Sequence, residues 1–373
     1  MSRRARIVVV GAGVIGCAIA HELASRGAAV QVVDPRPAGM GATQASAGIL
    51  APFIEAPAGW PLLDLTARSL ELYDEFVTRV SQESGIAVSY RRTGTLQVAA
   101  DADRLNEFRD MAAALETRDI AATVLGAREA QAAEPHLDGE LAGALLIAAH
   151  GFVGAGELTR ALVAAARRRE AQFVEGARVD RITPQSGGDL SVETDRGAVT
   201  GEAVVMAAGC WSGQIEVAGA AIRIPVRPIR GQLLHLSWSG RPLARVTWSD
   251  RCYLVPWEDG TTLVGATVED AGFDERTTVA GVRDLLDAAC ELVPHAWTAT
   301  LLGARAGLRP VSGDELPIIG RSRVVPNLVY ATGHYRNGVL LAPVTAKLVA
   351  DAVLESRADP MLEPFAPRRF GEV

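Results

Sequence analysis

Lysine is almost missing from this chain. Lys347 is the only one among 373 residues, and arginine supplies the other 36 of the 37 basic positions. No Walker A lysine is available, and a Schiff-base enzyme would have to use Lys347, which sits in an apolar helical pattern near the C-terminus. Phosphate-loop and pyridoxal chemistry therefore drop out. Cysteine is also sparse: Cys17, Cys210, Cys252 and Cys290 form no CxxC pair, so neither a zinc site nor a disulfide framework is indicated, and they read as small buried residues in a reducing compartment. No stretch reaches the roughly 18 uninterrupted apolar residues of a membrane span. The start, Met1 to Arg6 before an apolar run, has the outline of a signal peptide, but glycines at 11, 13 and 16 and the pair His21-Glu22 spoil it. The expectation is a cytoplasmic protein. A basic stripe is absent too: the formal net charge is −7 and the pI about 5.5, which argues against a nucleic-acid partner. Arg167-Arg168-Arg169 reads as the solvated last turn of a helix, with cations at its negative dipole end.

What is present begins with size and apolarity. A chain of 373 residues, 49% of them hydrophobic, has ample core for two domains or for one with a large insertion. Residues 6 to 34 then read as strand, glycine-rich turn, helix, strand and acid: Arg6 to Val10, Gly11-Ala-Gly13-Val-Ile-Gly16, an apolar helix to Gly27, and Val30 to Asp34. Gly11 permits a tight turn, Gly13 lets backbone approach a pyrophosphate, and Gly16 lets helix and strand pack closely. Helix amides at that turn face anions. Asp34 comes 18 positions after Gly16, where a ribose hydroxyl is accepted, and an acid there disfavours a 2′-phosphate. Near the other end, Leu328 to Gly338 again runs from a β-rich segment through glycines into a helix, so the chain is built around a dinucleotide.

Between these ends, the loop from Ala38 to Gly48 is rich in small residues that would let backbone lie against a ligand, or that simply make it flexible. Leu62 to Ser84 predicts a helix stopped at Gly85, and Val88 to Ala99 a β pair turning at Thr93-Gly94. Two further helical stretches precede a strand at Leu141 to Phe152. Gly156 to Glu170 predicts an alanine-rich helix, and Ala203 to Gly209 a strand whose glycine end suits a nucleotide-facing edge. From Ile222 to Thr267 the pattern becomes β hairpins, an antiparallel sheet inserted between nucleotide-binding pieces. A helix over Val279 to Leu292 follows. The predicted fold is therefore α/β: a Rossmann-like dinucleotide-binding domain (1–85, 150–221 and 304–373), which the resemblance below makes FAD-binding, interleaved with an antiparallel-sheet substrate domain (86–149 and 222–303).

The combination of Gly11 to Gly16, the Ala42-Thr43 to Gly48 loop, Ala208-Gly-Cys-Trp211-Ser, Val226-Arg-Pro-Ile-Arg-Gly231-Gln, Arg251-Cys-Tyr253-Leu-Val-Pro, Gly307-Leu-Arg309-Pro and Gly333-His-Tyr-Arg336-Asn-Gly resembles the D-amino-acid-oxidase family of flavoenzymes over essentially the whole chain. Within it, the likeness is to the glycine-oxidising branch of thiamine biosynthesis. The resemblance implies non-covalent FAD; no cysteine lies beside the C-terminal flavin segment to carry a covalent one. It implies that Val14, Ile15, Asp34, Ala42, Thr43, Ala47, Gly48, Ile49 and Gly209 line the ADP and pyrophosphate side with Gly11, Gly13 and Gly16, and that Val179 meets adenine through backbone. His334, Tyr335, Arg336, Asn337, Gly338, Val339 and Leu340 would close over the flavin ring. Arg309 and Arg336 match substrate-binding arginines and Tyr253 a pocket tyrosine. Two positions depart: Ala51 stands where glycine is common and Val268 where a methionine can stand, which bears on pocket size. The resemblance further implies a small amino-acid substrate, dioxygen as the acceptor and a homo-oligomer, a tetramer or dimer.

Oxidising a carbon beside an amine requires an electron sink, a fixed carboxylate and a dry pocket. A guanidinium grips a carboxylate with two parallel hydrogen bonds, so Arg309 is the expected clamp and Tyr253 a supporting donor, with no protein acid or base acting if the amine binds neutral and no metal. Each has a plainer alternative: Arg309 as a tie between loops, Arg336 as a helix cap or cofactor contact, and Tyr253 as a core aromatic. His334 reads as a packing residue, Arg251 as an exposed strand arginine, and Trp238, Trp248 and Trp257 as core or interface. The expected activity is oxidation of glycine or a similarly small amino acid. The alternatives are a related oxidase or dehydrogenase for sarcosine, a D-amino acid or an N-substituted glycine, or a non-catalytic flavin module.

Overall fold

The computed structural model describes residues 4–55, 60–138 and 140–373. Met1 to Arg3 of the charged start lie outside the described residues. In the strand Arg6–Val10 every residue after Arg6 is apolar and buried, because both faces of the strand are covered. Ile7 and Val9 point to helices Val14–Ser25, Leu62–Ser84, Ala155–Arg168 and Gly338–Glu355, while Val8 and Val10 point to a smaller sheet carrying Ile182 and Val192. The period of two thus splits one strand between two cores.

That strand lies in a six-stranded sheet in the order Ile318–Arg321, Leu328–Thr332, Ala203–Met206, Arg6–Val10, Ala29–Asp34 and Gln172–Glu175. All its pairings are parallel except the one between the first two. The two ends of the chain are therefore separated in space by a single strand, Ala203–Met206, and their glycine turns open on the same edge.

The second large sheet has eight strands, in the order Thr300–Ser312, Val226–Ser237, Thr261–Gly265, Tyr253–Pro256, Val246–Trp248, Thr95–Ala99, Gly143–Ile147 and Ala122–Gly126. It is antiparallel except where Val246–Trp248 runs parallel to Thr95–Ala99, the seam between its early and late segments. Helix Val279–Leu292 covers one face through Leu285, Ala288 and Ala289, leaving the other turned toward the parallel sheet. The strand Thr300–Ser312 pairs with Val226–Ser237 along its whole length, so the expected domain boundary at 303/304 falls inside it.

Helix Leu62–Ser84 ends at Gly85 in the left-handed conformation, as its sequence predicts. The hairpin expected over Val88 to Ala99 does not form. Tyr90–Arg91 pairs with Gly151–Val153, whereas Thr95–Ala99 pairs with Gly143–Ile147. Gly94, at φ +79°, donates its N–H to the His150 carbonyl 3.0 Å away, so the chain crosses between sheets at the point where a turn was expected. All four cysteines are buried and unpaired. No helix among the described residues is long and apolar enough to cross a membrane.

Candidate active site

A cavity of about 870 Å³ runs from the carboxyl ends of the parallel strands to the open face of the eight-stranded sheet. Ligands of doubly wound sheets bind at such strand ends. Gly11 turns the chain there at φ +107°, and a Cβ on it would overlap the Ala207 carbonyl oxygen, so no other residue fits without moving the neighbouring strand end. Helix Val14–Ser25 has no acidic residue in its first turn and no side-chain cap on Gly13, which leaves its positive end facing the cavity. Thr43 Oγ1 takes one of its amides, accepting from Val14 N at 3.1 Å, and so ties the Ala42–Ala45 turn to the helix.

The Asp34 carboxylate accepts from Ala12 N at 2.7 Å and from Arg36 N at 2.8 Å. Burial pushes its pKa up, and these two amides pull the other way. Asp34 thus shapes both turns while standing in the cavity wall. Ala47, Gly48, Ile49, Val179 and Gly209 also line the cavity. A glycine cradle, a helix N-terminus and an acid beside a strand end suit the ribose and pyrophosphate of a dinucleotide, so the residues present fit FAD.

The opposite end is a floor made by the eight-stranded sheet. Arg309 lies opposite Ile229, Leu233 opposite Gly265, and Gly265 opposite Tyr253, so these residues and Gly231 share one face. The two glycines clear space on it. A Cβ on Gly231 would overlap the Arg309 guanidinium, and one on Gly265 would lie 2.5 Å from Tyr253 Oη. Both long side chains therefore lie flat across the sheet, into the cavity. Arg309 Nη1 donates to the Thr267 carbonyl at 2.9 Å, which fixes the guanidinium and leaves its other donors for a ligand. No carboxylate among the described residues pairs with Arg309. Arg36 and Arg178 also line the cavity, but they pair with Glu275 at 2.8 Å and Asp180 at 2.9 Å. A cation held in a wall without its own counter-ion is an anion site.

A Gly231→Ala substitution follows as a test of that seat. The added methyl should push the flexible end of Arg309 off its carbonyl anchor, raising KM for a carboxylate substrate about tenfold or more while leaving the unfolding midpoint nearly unchanged; steady-state kinetics and a denaturant melt check both halves.

The remaining expected residues divide by depth. Ala51 is 1% exposed, a buried piece of wall, whereas Val268 is 53% exposed and stands at the mouth. Tyr335 N donates to the Pro310 carbonyl at 2.8 Å and His334 bridges Val311, so the second arginine motif is stitched directly onto the strand end that carries Arg309. Arg336 is exposed, its guanidinium 5.1 Å from the Tyr335 ring centre. His334 is buried, with Nε2 3.2 Å from Thr345 Oγ1, and burial pushes its imidazole down to about 3. It is a neutral packing group at ordinary pH. Among the described residues no cluster of histidine, cysteine or carboxylates could hold a metal.

Two expected cofactor residues are placed elsewhere. Gly16 does not reach the cavity: a Cβ there would overlap the Gly11 carbonyl oxygen, so its role is the close helix packing alone. Leu340 is 2% exposed and turned into the helical core, where its carbonyl accepts from Ser69 Oγ at 2.6 Å, because only one side of helix Gly338–Glu355 faces the cavity. Arg251 corrects its expected place: it is exposed and paired with Glu291, but it sits at a bend before the strand and lines the cavity. Trp238 is core and Trp257 packs edge-on against Phe152. Trp248 corrects the expectation for the tryptophans: it lines the cavity with its ring 5.1 Å from that of Tyr253. Its three-residue strand carries no pattern that could have marked it.

The family model for FAD dependent oxidoreductases matches residues 6–352. The chain belongs to that family. It is 35% identical to the bifunctional protein ThiO/ThiG of Nostoc sp. over 96% of its own length and 54% of that protein's, so it spans about half of that relative. It is 34% identical to the glycine oxidase of Geobacillus kaustophilus, covering 100% of this chain and 99% of that one. The crystal structure of glycine oxidase from the same organism superposes with a TM-score of 0.93, at 32% identity and over 98% and 99% of the two chains. The structure of iminodiacetate oxidase from Chelativorans sp. superposes at 0.87, with 27% identity over 97% and 99%. Membership fixes the cofactor as FAD and the fold as the one expected.

Proposed function

We propose that this protein is an FAD-dependent oxidase of glycine or a similarly small amino acid, yielding the 2-oxo acid, ammonia and hydrogen peroxide, and that it serves thiamine thiazole synthesis. The observation that carries the reading is the guanidinium of Arg309, anchored at one nitrogen, lying on a floor cleared by Gly231 and facing a cavity in which no described residue serves as its counter-ion. The full-length likeness to a glycine oxidase supports it.

When bound, FAD supplies a two-electron sink and passes the pair to dioxygen. The chain's own residues do the holding. Arg309 grips the substrate carboxylate, Tyr253 adds a hydroxyl beside it, and the Trp248 ring and Ala51 wall exclude water from the carbon between. Fixing that carbon accounts for much of the rate gain through lost orientational freedom. The neutral, buried His334 is engaged with Thr345 and is not the base, and in this reading the amine arrives unprotonated or loses its proton to solvent.

A second reading has its own support. Ala51 narrows the buried wall, Val268 leaves the mouth open, and the chain superposes on an iminodiacetate oxidase, so an N-substituted glycine with its substituent at the mouth is the alternative substrate. One methylene changes discrimination in an apolar pocket by only about 1–3 kcal/mol. Anaerobic titration of the yellow protein with glycine, sarcosine, iminodiacetate and D-alanine decides the order. Glycine should bleach the flavin at the lowest concentration; bleaching first by iminodiacetate or sarcosine moves the assignment to N-substituted glycines, and bleaching by none removes the oxidase reading.

A further inference from the structure

The segment between strand Thr261–Gly265 and helix Val279–Leu292 belongs to the substrate sheet for most of its length. Glu269 and Arg230 exchange backbone hydrogen bonds of 2.9 and 3.0 Å, and the Arg230 side chain, nearly buried, pairs with both Glu269 at 2.5 Å and Asp274 at 3.0 Å. At Glu275 the segment reaches across to the other sheet. Its two carboxylate oxygens take the two terminal nitrogens of Arg36, at 2.9 and 2.8 Å, in the forked geometry of a strong arginine pair.

Arg36 stands two residues beyond Asp34 and its guanidinium carbon lies 4.5 Å from the centre of the Trp211 ring. Phe273, from the same crossing segment, packs at a tilt against the same Trp211 ring, with ring centres 6.1 Å apart. Arg36 and Trp211 both line the Asp34 end of the cavity, whereas Glu275 and Phe273 do not. An arginine so placed is available to bind a phosphate only if its fork is free, and here the fork is closed by Glu275 and its face by indole. It serves as a flat wall.

We propose that Glu275 and Phe273 form a clasp by which the substrate sheet holds the Arg36–Trp211 wall against the adenosine half of FAD, so that cofactor retention depends on residues that never touch the cofactor. The proposal rests on the cavity being the FAD site. The pair spans 239 positions and joins the two large sheets, and charge-assisted pairing plus cation–π stacking make the wall stiffer than either contact alone.

Glu275→Gln tests it, because the substitution keeps the side chain's shape and removes the charge from a residue outside the cavity wall. Titrating FAD into apoprotein should show affinity falling roughly threefold to tenfold, the range of a partly exposed forked pair. ADP, which carries only the adenosine half, should bind the apoprotein more weakly by the same factor. In the wild type, affinity for FAD should fall as salt is raised; in E275Q that dependence should flatten. Trp211→Leu supplies the second arm: with the stacking face gone, adding E275Q should cost little more. Equal FAD affinity in E275Q and wild type overturns the clasp, as does weakened FAD with ADP unaffected, which would place the effect at the flavin half instead. A wild-type protein that takes up no FAD overturns both the clasp and the reading of the cavity.

Discussion

Arg309→Ala protein is expected to purify yellow and to have lost nearly all turnover. Removing one partner of a desolvated, hydrogen-bonded charge pair costs about 3–5 kcal/mol, which is two to four orders of magnitude in kcat/KM. Flavin should remain because Arg309 lies on the floor of the eight-stranded sheet, while the glycine turns, Thr43 and Asp34 that frame the dinucleotide end belong to other segments. Loss should appear in both kcat and KM, since a substrate whose carboxylate is loose also presents its carbon badly. Arg309→Lys should recover only part of the activity, because an ammonium keeps the charge and loses the fork. If R309A instead comes off the column colourless, the residue belongs to the cofactor and the clamp must be sought in Arg336.

The clamp's place is half legible in the sequence. The Gly307-Leu-Arg309-Pro motif names the residue, and the short link from it to the second arginine motif, through Tyr335 N and the Pro310 carbonyl, brings two stretches that both look functional together. What makes Arg309 usable is less visible. Its seat depends on Gly231, which comes into place only through the pairing register of Val226–Ser237 with Thr300–Ser312, and that register shifts at His235/Leu236. A shift of one residue would turn the glycine to the other face. No local pattern encodes a distance between positions 231 and 309.

The dinucleotide end shows the opposite balance. Strand, Gly11, Gly13, helix and Asp34 are contiguous, Gly11 answers a steric demand at the turn, and the structure puts them where a single reading along the chain puts them. The failures there are failures of facing. Gly16 and Leu340 sit in segments correctly assigned to the cofactor, but one side of a helix sees the cavity and the other sees core, and a motif does not say which. Likewise the hairpin expected before Ala99 follows from composition at Thr93-Gly94, and it loses to tertiary pairing: Tyr90–Arg91 and Thr95–Ala99 each find a better partner strand near residue 150 than one another.

Gly48→Ala carries the second large expected effect, and the reason differs from the one its loop suggests. Small residues from Ala38 to Gly48 imply backbone lying against a ligand, yet the constraint on Gly48 is another strand. It sits at φ +71°, and a Cβ there would overlap the Val153 carbonyl oxygen, backbone that cannot swing aside. The Val153 N–H in turn donates to the Gly48 carbonyl at 2.9 Å, and Ile49–Leu50 continues the pairing with Phe152 and Gly151. An added methyl must therefore part the two segments, dragging Ala47, Ile49 and Ala51 out of the cavity wall. Left-handed strain of about 1 kcal/mol plus the separated backbone should cost about 2–4 kcal/mol of stability and most of the bound flavin. Gly27→Ala is the matched control: at φ +90° with open space around its Cβ direction, it should pay the left-handed strain alone and stay yellow. Urea midpoints and the ratio of flavin to protein absorbance distinguish the two. If G48A keeps its full flavin content, the Val153 contact does not shape the cavity, and the loop answers to the ligand after all.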